Sequence, residues 1–330
     1  MLFGIKMKRT KGNIGWTMLL VALLLSATVC MLTACSSDDT NTTSSPTNNP
    51  SEISFMADVW KMAEGTRAAT YDNAYLQSQG FVCTAYNAGT ATLNTEANIN
   101  ETSVTWNNED SRWVFYGGPR YWPATGDLDF FAYAPASGSC IIDLIYSSGP
   151  QVTFSCSALP VTSSGQSSVT EFVYALTEGQ NKTNAASGVS LSFIHPFTLI
   201  KLQLAAGHPA IHINTITFKS IKNNGSYNTG TWTPSGDPTD FVWTFNADYD
   251  NHESVNTLAL GGSYLVIPQN WTGEIEVEAV WTVWGESKTN TVSKDLEGTI
   301  TWQRGYSYTY TFNITETDLV VNTSKYTEQW

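Results

Sequence analysis

Tyr306-Ser307-Tyr308-Thr309-Tyr310-Thr311-Phe312-Asn313-Ile314 alternates large apolar residues with small polar ones. In an extended chain successive side chains point to opposite faces, so this period of two predicts a β-strand with one buried and one wet face. A second run repeats the pattern, with Ile275, Val277, Ala279, Trp281 and Val283 on one side and Glu274, Glu276 and Glu278 on the other. Shorter runs rich in Val, Ile, Thr and aromatics lie at Phe81–Ala85, Arg112–Tyr116, Phe130–Tyr133, Cys140–Tyr146, Glu171–Leu176, Val189–Ile194, Ile211–Phe218 and Ser263–Ile267. Gly, Pro, Asn and Ser punctuate them. No long stretch after residue 35 has helical spacing, so the expectation is an all-β chain of sandwiches or small barrels. Length suits about two domains, and the polar, small stretch 181–188 is the expected boundary between them, giving 68–187 and 188–330.

The N-terminus follows a different pattern. Lys6, Lys8, Arg9 and Lys11 precede an apolar run from Trp16 to Leu25, and Leu32-Thr33-Ala34-Cys35 follows. A basic region, an apolar region and a small residue before the cut describe a secretory signal peptide. The quartet reads as a lipoprotein processing site, so that residues 1–34 are removed and Cys35 is acylated. Cys30 is the poorer acceptor because bulky Val29 precedes it. The competing reading is a transmembrane segment from Ile14 to Ala34, just long enough for a bilayer core of about 30 Å. Ser36–Ser51 is almost entirely Ser, Thr, Asn, Asp and Pro, a composition that cannot offset ordering entropy by burial. Residues 35–52 are therefore expected to be a flexible tether.

Charge narrows the function. The chain carries 16 basic and 29 acidic residues, a net charge of -13. Losing the four signal cations leaves 12 against 29, or -17. Nucleic acid is excluded as a partner, since phosphate binding needs a cationic face. After Cys30 and Cys35, three cysteines remain: Cys83, Cys140 and Cys156. An odd number is not a complete disulfide framework. Cys140 and Cys156 flank the turn signal Ser147-Ser148-Gly149-Pro150, either as neighbours on a hairpin or on opposite faces if the register moves by one.

Catalytic and metal signatures are weak. His208 and His212 straddle Pro209 without a third ligand at a recognisable spacing. Asp248-Tyr249-Asp250-Asn251-His252-Glu253 starts like a calcium loop but lacks its glycine at the sixth position and its glutamate at the twelfth, where Ala259 stands, so a solvated turn is expected. Asp127 and Asp129 are two nearby acids of the kind common in turns. The 12 Trp and 15 Tyr fall mostly inside alternating strands and are assigned to packing. No catalytic residue, metal or cofactor is implied.

One constellation looks mechanistic. Ile53, Phe55, Ala57 and Val59 alternate with Ser54, Met56, Asp58 and Trp60, a first strand, and a polar, small run containing Arg67-Ala68 follows from Lys61 to Thr70. Cleavage by a protease needs extended, mobile backbone, and Arg67 is placed for it. The plain alternative is a solvated loop arginine.

Tyr121-Trp122-Pro123 followed by Gly126-Asp127-Leu128-Asp129-Phe130-Phe131-Ala132-Tyr133-Ala134-Pro135 resembles the signature of the Bacteroidales fimbrillin family, lipoprotein subunits of type V pili. Val189–His195, Ile267–Trp271 and Trp302–Tyr308 follow in the family's order. The resemblance implies two tandem transthyretin-like (Greek-key) β-sandwich domains, no enzymatic activity, and a place in a fimbria at the outer membrane and cell surface. Asp38 and Asp39 resemble the acidic signal that sends some lipoproteins of that order to the outer surface, although linker solvation accounts for them equally well. Trp122, Phe130, Tyr133 and Trp302 would anchor cores. By the same resemblance an arginine-specific protease cuts after Arg67, discards the first strand (53–67 with its loop), and another subunit's strand fills the groove. The donor would be the C-terminal tail, with Leu319 and Val321 on one side and Trp330 as a final anchor. Partners are then other pilus subunits, the protease, membrane lipid through Cys35, and a host or bacterial surface ligand. The competing reading is a permanently anchored surface protein binding a glycan or other ligand, or a tip or anchor subunit.

Overall fold

A computed structural model describes residues 51–59, 72–135, 142–146, 151–250, 256–283, 286–296 and 298–326. Cys35, Arg67, Ala68, Cys140 and Trp330 lie outside them. Strands supply nearly all the regular structure. In chain order they are β1 (Phe55–Val59), β2 (Phe81–Asn87), β3 (Thr102–Asn107), β4 (Arg112–Phe115), β5 (Leu128–Ala134), β6 (Ile142–Tyr146), β7 (Val152–Cys156), β8 (Val173–Gln180) and β9 (Val189–Phe193). Then follow β10 (Thr198–Leu204), β11 (Ile211–Ile221), β12 (Asn224–Asn228), β13 (Thr231–Ser235), β14 (Thr239–Tyr249), β15 (Leu258–Val266), β16 (Asn270–Trp271), β17 (Glu274–Val283), β18 (Glu286–Asp295), β19 (Ile300–Thr301), β20 (Ser307–Ile314) and β21 (Leu319–Tyr326). Among the described residues the helices are α1 (Asn73–Gln79) and α2 (Ser163–Gln166), both short.

The first sandwich sets a five-stranded sheet, in the order β4-β3-β2-β5-β8, against the pair β1-β9. Its core holds Phe55, Phe81, Trp113, Phe115, Phe130, Leu191 and Phe193 among others. The second sandwich faces sheet β15-β10-β20-β21 with sheet β14-β11-β17-β18, around Ile213, Phe218, Trp243, Val277, Tyr310 and Phe312. The apolar face of the opening alternation lies there: Tyr308, Tyr310, Phe312 and Ile314 are buried on β20, and Tyr306 packs half-buried on the same core. The other face is not wet throughout, since Ser307 and Thr309 are buried as well.

Several strands are buried on both faces, β5 and β10 among them. Leu128, Phe130, Ala132 and Ala134 of β5 join the first core, while Phe131 and Tyr133 join a third cluster with Phe154, Phe172, Tyr174, Tyr227 and Trp232. On β10, Ile200, Leu202 and Leu204 face the second core and Leu199 the third. The third cluster therefore sits between the two sandwiches. A separate sheet ordered β13-β12-β7-β6 supplies its other wall, pairing residues 153–156 with 225–228. The expected division at 187/188 falls ahead of β9, whose buried Val189, Leu191 and Phe193 lie in the first core. Chain leaves that core only after Phe193.

Candidate functional site: the β1 slot

β1 runs parallel to β9, with Phe55 opposite Val189 and Val59 opposite Phe193. Its alternation decides what each side chain does. Ile53 and Val59 are 2% exposed and Phe55 7%, whereas Met56 is 48% exposed. Phe55 is the plug. Its ring meets Phe115, Phe81 and Phe130 edge-on at centroid distances of 5.2, 5.6 and 5.9 Å, the geometry in which the ring edge meets the negative face of its neighbour.

Backbone bonds fasten both ends. Trp122 N donates to Ser51 O at 2.9 Å, Ile53 N to Arg120 O at 2.8 Å, and Val189 N to Ser54 O at 2.8 Å. At the far end Val59 N donates to the Asn73 side chain. Asn73 opens α1, a helix started by Asp72, whose carboxylate accepts from Tyr75 N at 2.7 Å. Gly80 ends it at φ +72°, where a Cβ would lie 2.5 Å from Val104 O, so only glycine fits. α1 thus serves as a clamp on β1 as well as a core element through buried Leu76.

Among the described residues β9 has no other full-length strand partner; its far end makes a single bridge, Tyr174 to Ile194. Removing β1 would strip the backbone of β9 of its ladder and uncover Phe81, Phe115, Phe130, Val189, Leu191 and Phe193. The remaining ties are weak. Arg112 meets Glu52 at 3.4 Å and Ser192 Oγ donates to Asp58 at 3.3 Å, both with solvent access, a setting in which such contacts contribute little.

The C-terminal residues singled out by sequence sit elsewhere. Leu319 is fully buried and Val321 half-buried against the second core, on β21, which pairs antiparallel with β20 from Ile314↔Leu319 to Ser307↔Tyr326. In this state the tail completes its own sheet as an edge strand.

The suspected chemistry resolves into architecture. Asp129 is buried and accepts from Gly89 N at 2.7 Å and Gly179 N at 2.8 Å, so it tethers two turns. Asp127 accepts from the Asn181 amide at 2.9 Å. His212 bonds Asp248 at 2.7 Å across β11 and β14. Asp248 and Tyr249 belong to β14, where a solvated turn was expected, because β11 continues far enough to pair with them. Among the described residues no group of three His, Cys, Asp or Glu side chains is placed to hold a metal. Burial alone pushes the Cys83 thiol far above its ordinary range. β6 and β7 form the expected hairpin with Ile142 opposite Cys156.

Residues 66–330 match the model of the fimbrillin-like family. This chain belongs to that family. It is a family of structural subunits and not of enzymes. The fimbrillin-like fold is shared with solved structures. A fimbrial protein from Bacteroides vulgatus ATCC 8482 is 16% identical with a TM-score of 0.60, the match covering 84% of this chain and 99% of that one. A putative cell adhesion protein from Bacteroides ovatus ATCC 8483 is 15% identical at 0.51, over 83% and 95% of the two chains. Another from Bacteroides uniformis ATCC 8492 is 16% identical at 0.50, over 83% and 98%. No curated protein matched the sequence. The family match begins one residue ahead of Arg67 and so leaves out β1, although β1 is packed inside the first core.

The sequence identified β1 by its alternation. It gave no sign of the clamp by Asn73 or of the carbonyl of Arg120, since a side-chain amide and a backbone oxygen carry no periodic signal.

Proposed function

We propose that this chain is a subunit of a cell-surface fimbria that contributes to adhesion. It is exported as a lipoprotein precursor, held at the outer membrane through acylated Cys35, cut after Arg67, and polymerised by donor-strand exchange. One observation carries the reading: β1 fills the first core yet stands ahead of the family region, joined to the rest of the chain through the segment that contains Arg67. A strand with a single ladder partner and a phenylalanine plug is replaceable by another strand with alternating apolar residues, since main-chain bonds restore the ladder and side chains refill the pockets. Until then β1 covers an edge that would otherwise pair prematurely. The solved fimbrial and cell-adhesion proteins of the same fold agree with this assignment.

The test is the mature N-terminus of protein recovered from the outer surface, read beside its polymer ladder. Expected are a start at Ala68 and loss of the ladder in Arg67→Ala. Lipidated Cys35 on all of the assembled material would sink the proposal.

A second reading has its own support. β21 is folded onto β20 with Leu319 fully buried, and a tail that stays there donates nothing. That would suit a tip subunit, or a permanently anchored binding protein.

A further inference from the structure

Between the β12–β13 hairpin, the β16–β19 pair and loop 302–306 lies an open cleft of about 790 Å³. It shares no lining residue with β1 or β9, and its volume falls within the range of small-ligand sites, roughly 300–1,000 Å³. Carboxylates outnumber cations 29 to 16 in this chain, yet no Asp or Glu lines the cleft. Glu171 bonds the lining residue His195 at 2.7 Å but is itself 2% exposed, behind the wall.

Arg304 stands on the rim. Arg112 is ion-paired and Arg120 bonds the carbonyls of Asn98 and Gly118 at 2.9 and 2.8 Å. Arg304 makes no hydrogen bond or ion pair among the described residues. Its guanidinium lies over the turn at Gly230, where φ is +92° and a Cβ would come within 3.5 Å of Nη2. Lys325 adds a second cation: its ammonium donates to Gln303 and sits 4.0 Å from the ring centre of Tyr306, both lining residues.

The walls are rigid and the mouth is polar. Trp302 Nε1 donates to Tyr310 at 2.9 Å and Trp232 Nε1 to Pro196 O at 2.6 Å, so both indoles are fixed from behind. Asn270 accepts from Thr301 Oγ1 at 2.8 Å, and among the described residues its side-chain N–H groups have no acceptor, so they remain to donate to a ligand. A peptide strand is disfavoured: β13, at the edge of its sheet, carries Pro234, which has no N–H for a ladder.

We infer that this cleft binds an acidic saccharide, whose carboxylate is taken by Arg304 and whose hydroxyls meet Asn270 and Thr301. Charge-assisted, two-pronged bonds are the strong ones for arginine and carboxylate. A cationic, acid-free concavity on a strongly acidic protein is the place where an anion meets no repulsion. Binding by the monomer is required, so it is independent of how subunits assemble.

The experiment titrates the full chain with 3′-sialyllactose, digalacturonate and neutral lactose, followed by calorimetry. At least one acidic sugar should bind saturably and at least tenfold more tightly than lactose. Arg304→Ala should weaken that binding tenfold or more, Arg304→Lys less, with the melting curve unchanged because Arg304 is exposed. Polymerisation by Arg304→Ala should be normal, so failed assembly and failed sugar binding are separable results. Equal affinity for lactose, unchanged binding in Arg304→Ala, or binding of a peptide carboxylate but of neither acidic sugar would each overturn the inference.

Discussion

Phe55 stands edge-on to Phe130, ring centroids 5.9 Å apart at 88°, and so ties a strand ahead of the family region to the interior of the first sheet. Deleting such a ring leaves a cavity that packed neighbours fill only in part, at a cost of about 3–5 kcal/mol. Phe55→Ala should lower the stability of the precursor by that amount in urea unfolding. Met56→Ala, one position along and 48% exposed, should change it by less than about 0.5 kcal/mol. Similar losses at both positions would mean that β1 is not seated in the core.

A second prediction concerns alkaline pH. Tyr174 and Tyr227 share a hydrogen bond of 2.6 Å in the third cluster. Burial, then the neighbouring Tyr227, raises the Tyr174 phenol well above its usual value, and burial, then nearby Glu101, pushes Tyr86 up to about 12. A phenol whose folded value is raised keeps its full contribution below the unfolded value of about 10, and loses it as pH climbs through the folded value. The unfolding midpoint should therefore hold from pH 8 to about 10 and fall above it, with tyrosinate absorbance rising in step with unfolding. Tyr227→Phe, which leaves one hydroxyl buried without this partner, should cost about 1–3 kcal/mol. Tyrosinate appearing in a still-folded chain well before the midpoint falls would contradict the burial of these rings.

A third follows from His195 and Glu171, 2.7 Å apart with both side chains at most 2% exposed. Breaking a buried pair leaves one polar group sealed from water, at about 3–5 kcal/mol. Glu171→Ala should destabilise by this much, and His195→Ala/Glu171→Ala should cost clearly less than the two single losses added. Strict additivity would show that the pair acts as two unrelated groups.

How much of this was legible depended on how each strand is buried. β17 has one wetter face and β20 an alternating sequence, and that alternation located both, although Ser307 and Thr309 of β20 are themselves buried. β5 is buried on both faces, so its run Phe130–Ala134 is apolar without a period. β18, Glu286–Asp295, pairs along its whole length with β17 yet buries only Val292 of its described side chains, and its polar sequence carried no strand signal. At the candidate site, β1 was legible by itself. Its partner was not, because Phe55 and Val189 lie 134 positions apart and nothing local encodes a parallel pairing of that span. The cleft escaped for the same reason: Arg304, Asn270 and Trp232 are each ordinary in sequence and gain meaning only where a hairpin, a strand pair and a loop converge.

The last prediction asks whether the tail is the donor. To leave its place, β21 must give up its ladder with β20 and the burial of Leu319, a loss recovered only if an equivalent slot receives it. Asn313 and Val320 face each other in that ladder and both are exposed, so a cysteine pair there meets the Cα spacing of about 4.5–5.5 Å between opposite residues that a disulfide tolerates. Asn313→Cys/Val320→Cys should fold, and when oxidised should melt at a higher temperature because the closed loop restricts the unfolded chain. If the tail is the donor, the oxidised protein will be cut after Arg67 yet stay out of the polymer ladder, and reduction will restore its entry. Assembly of the oxidised form at the normal rate would remove Leu319 and Val321 from the donor role. The subunit could then accept a strand in the slot left by β1, but it would have none of its own to give from this tail.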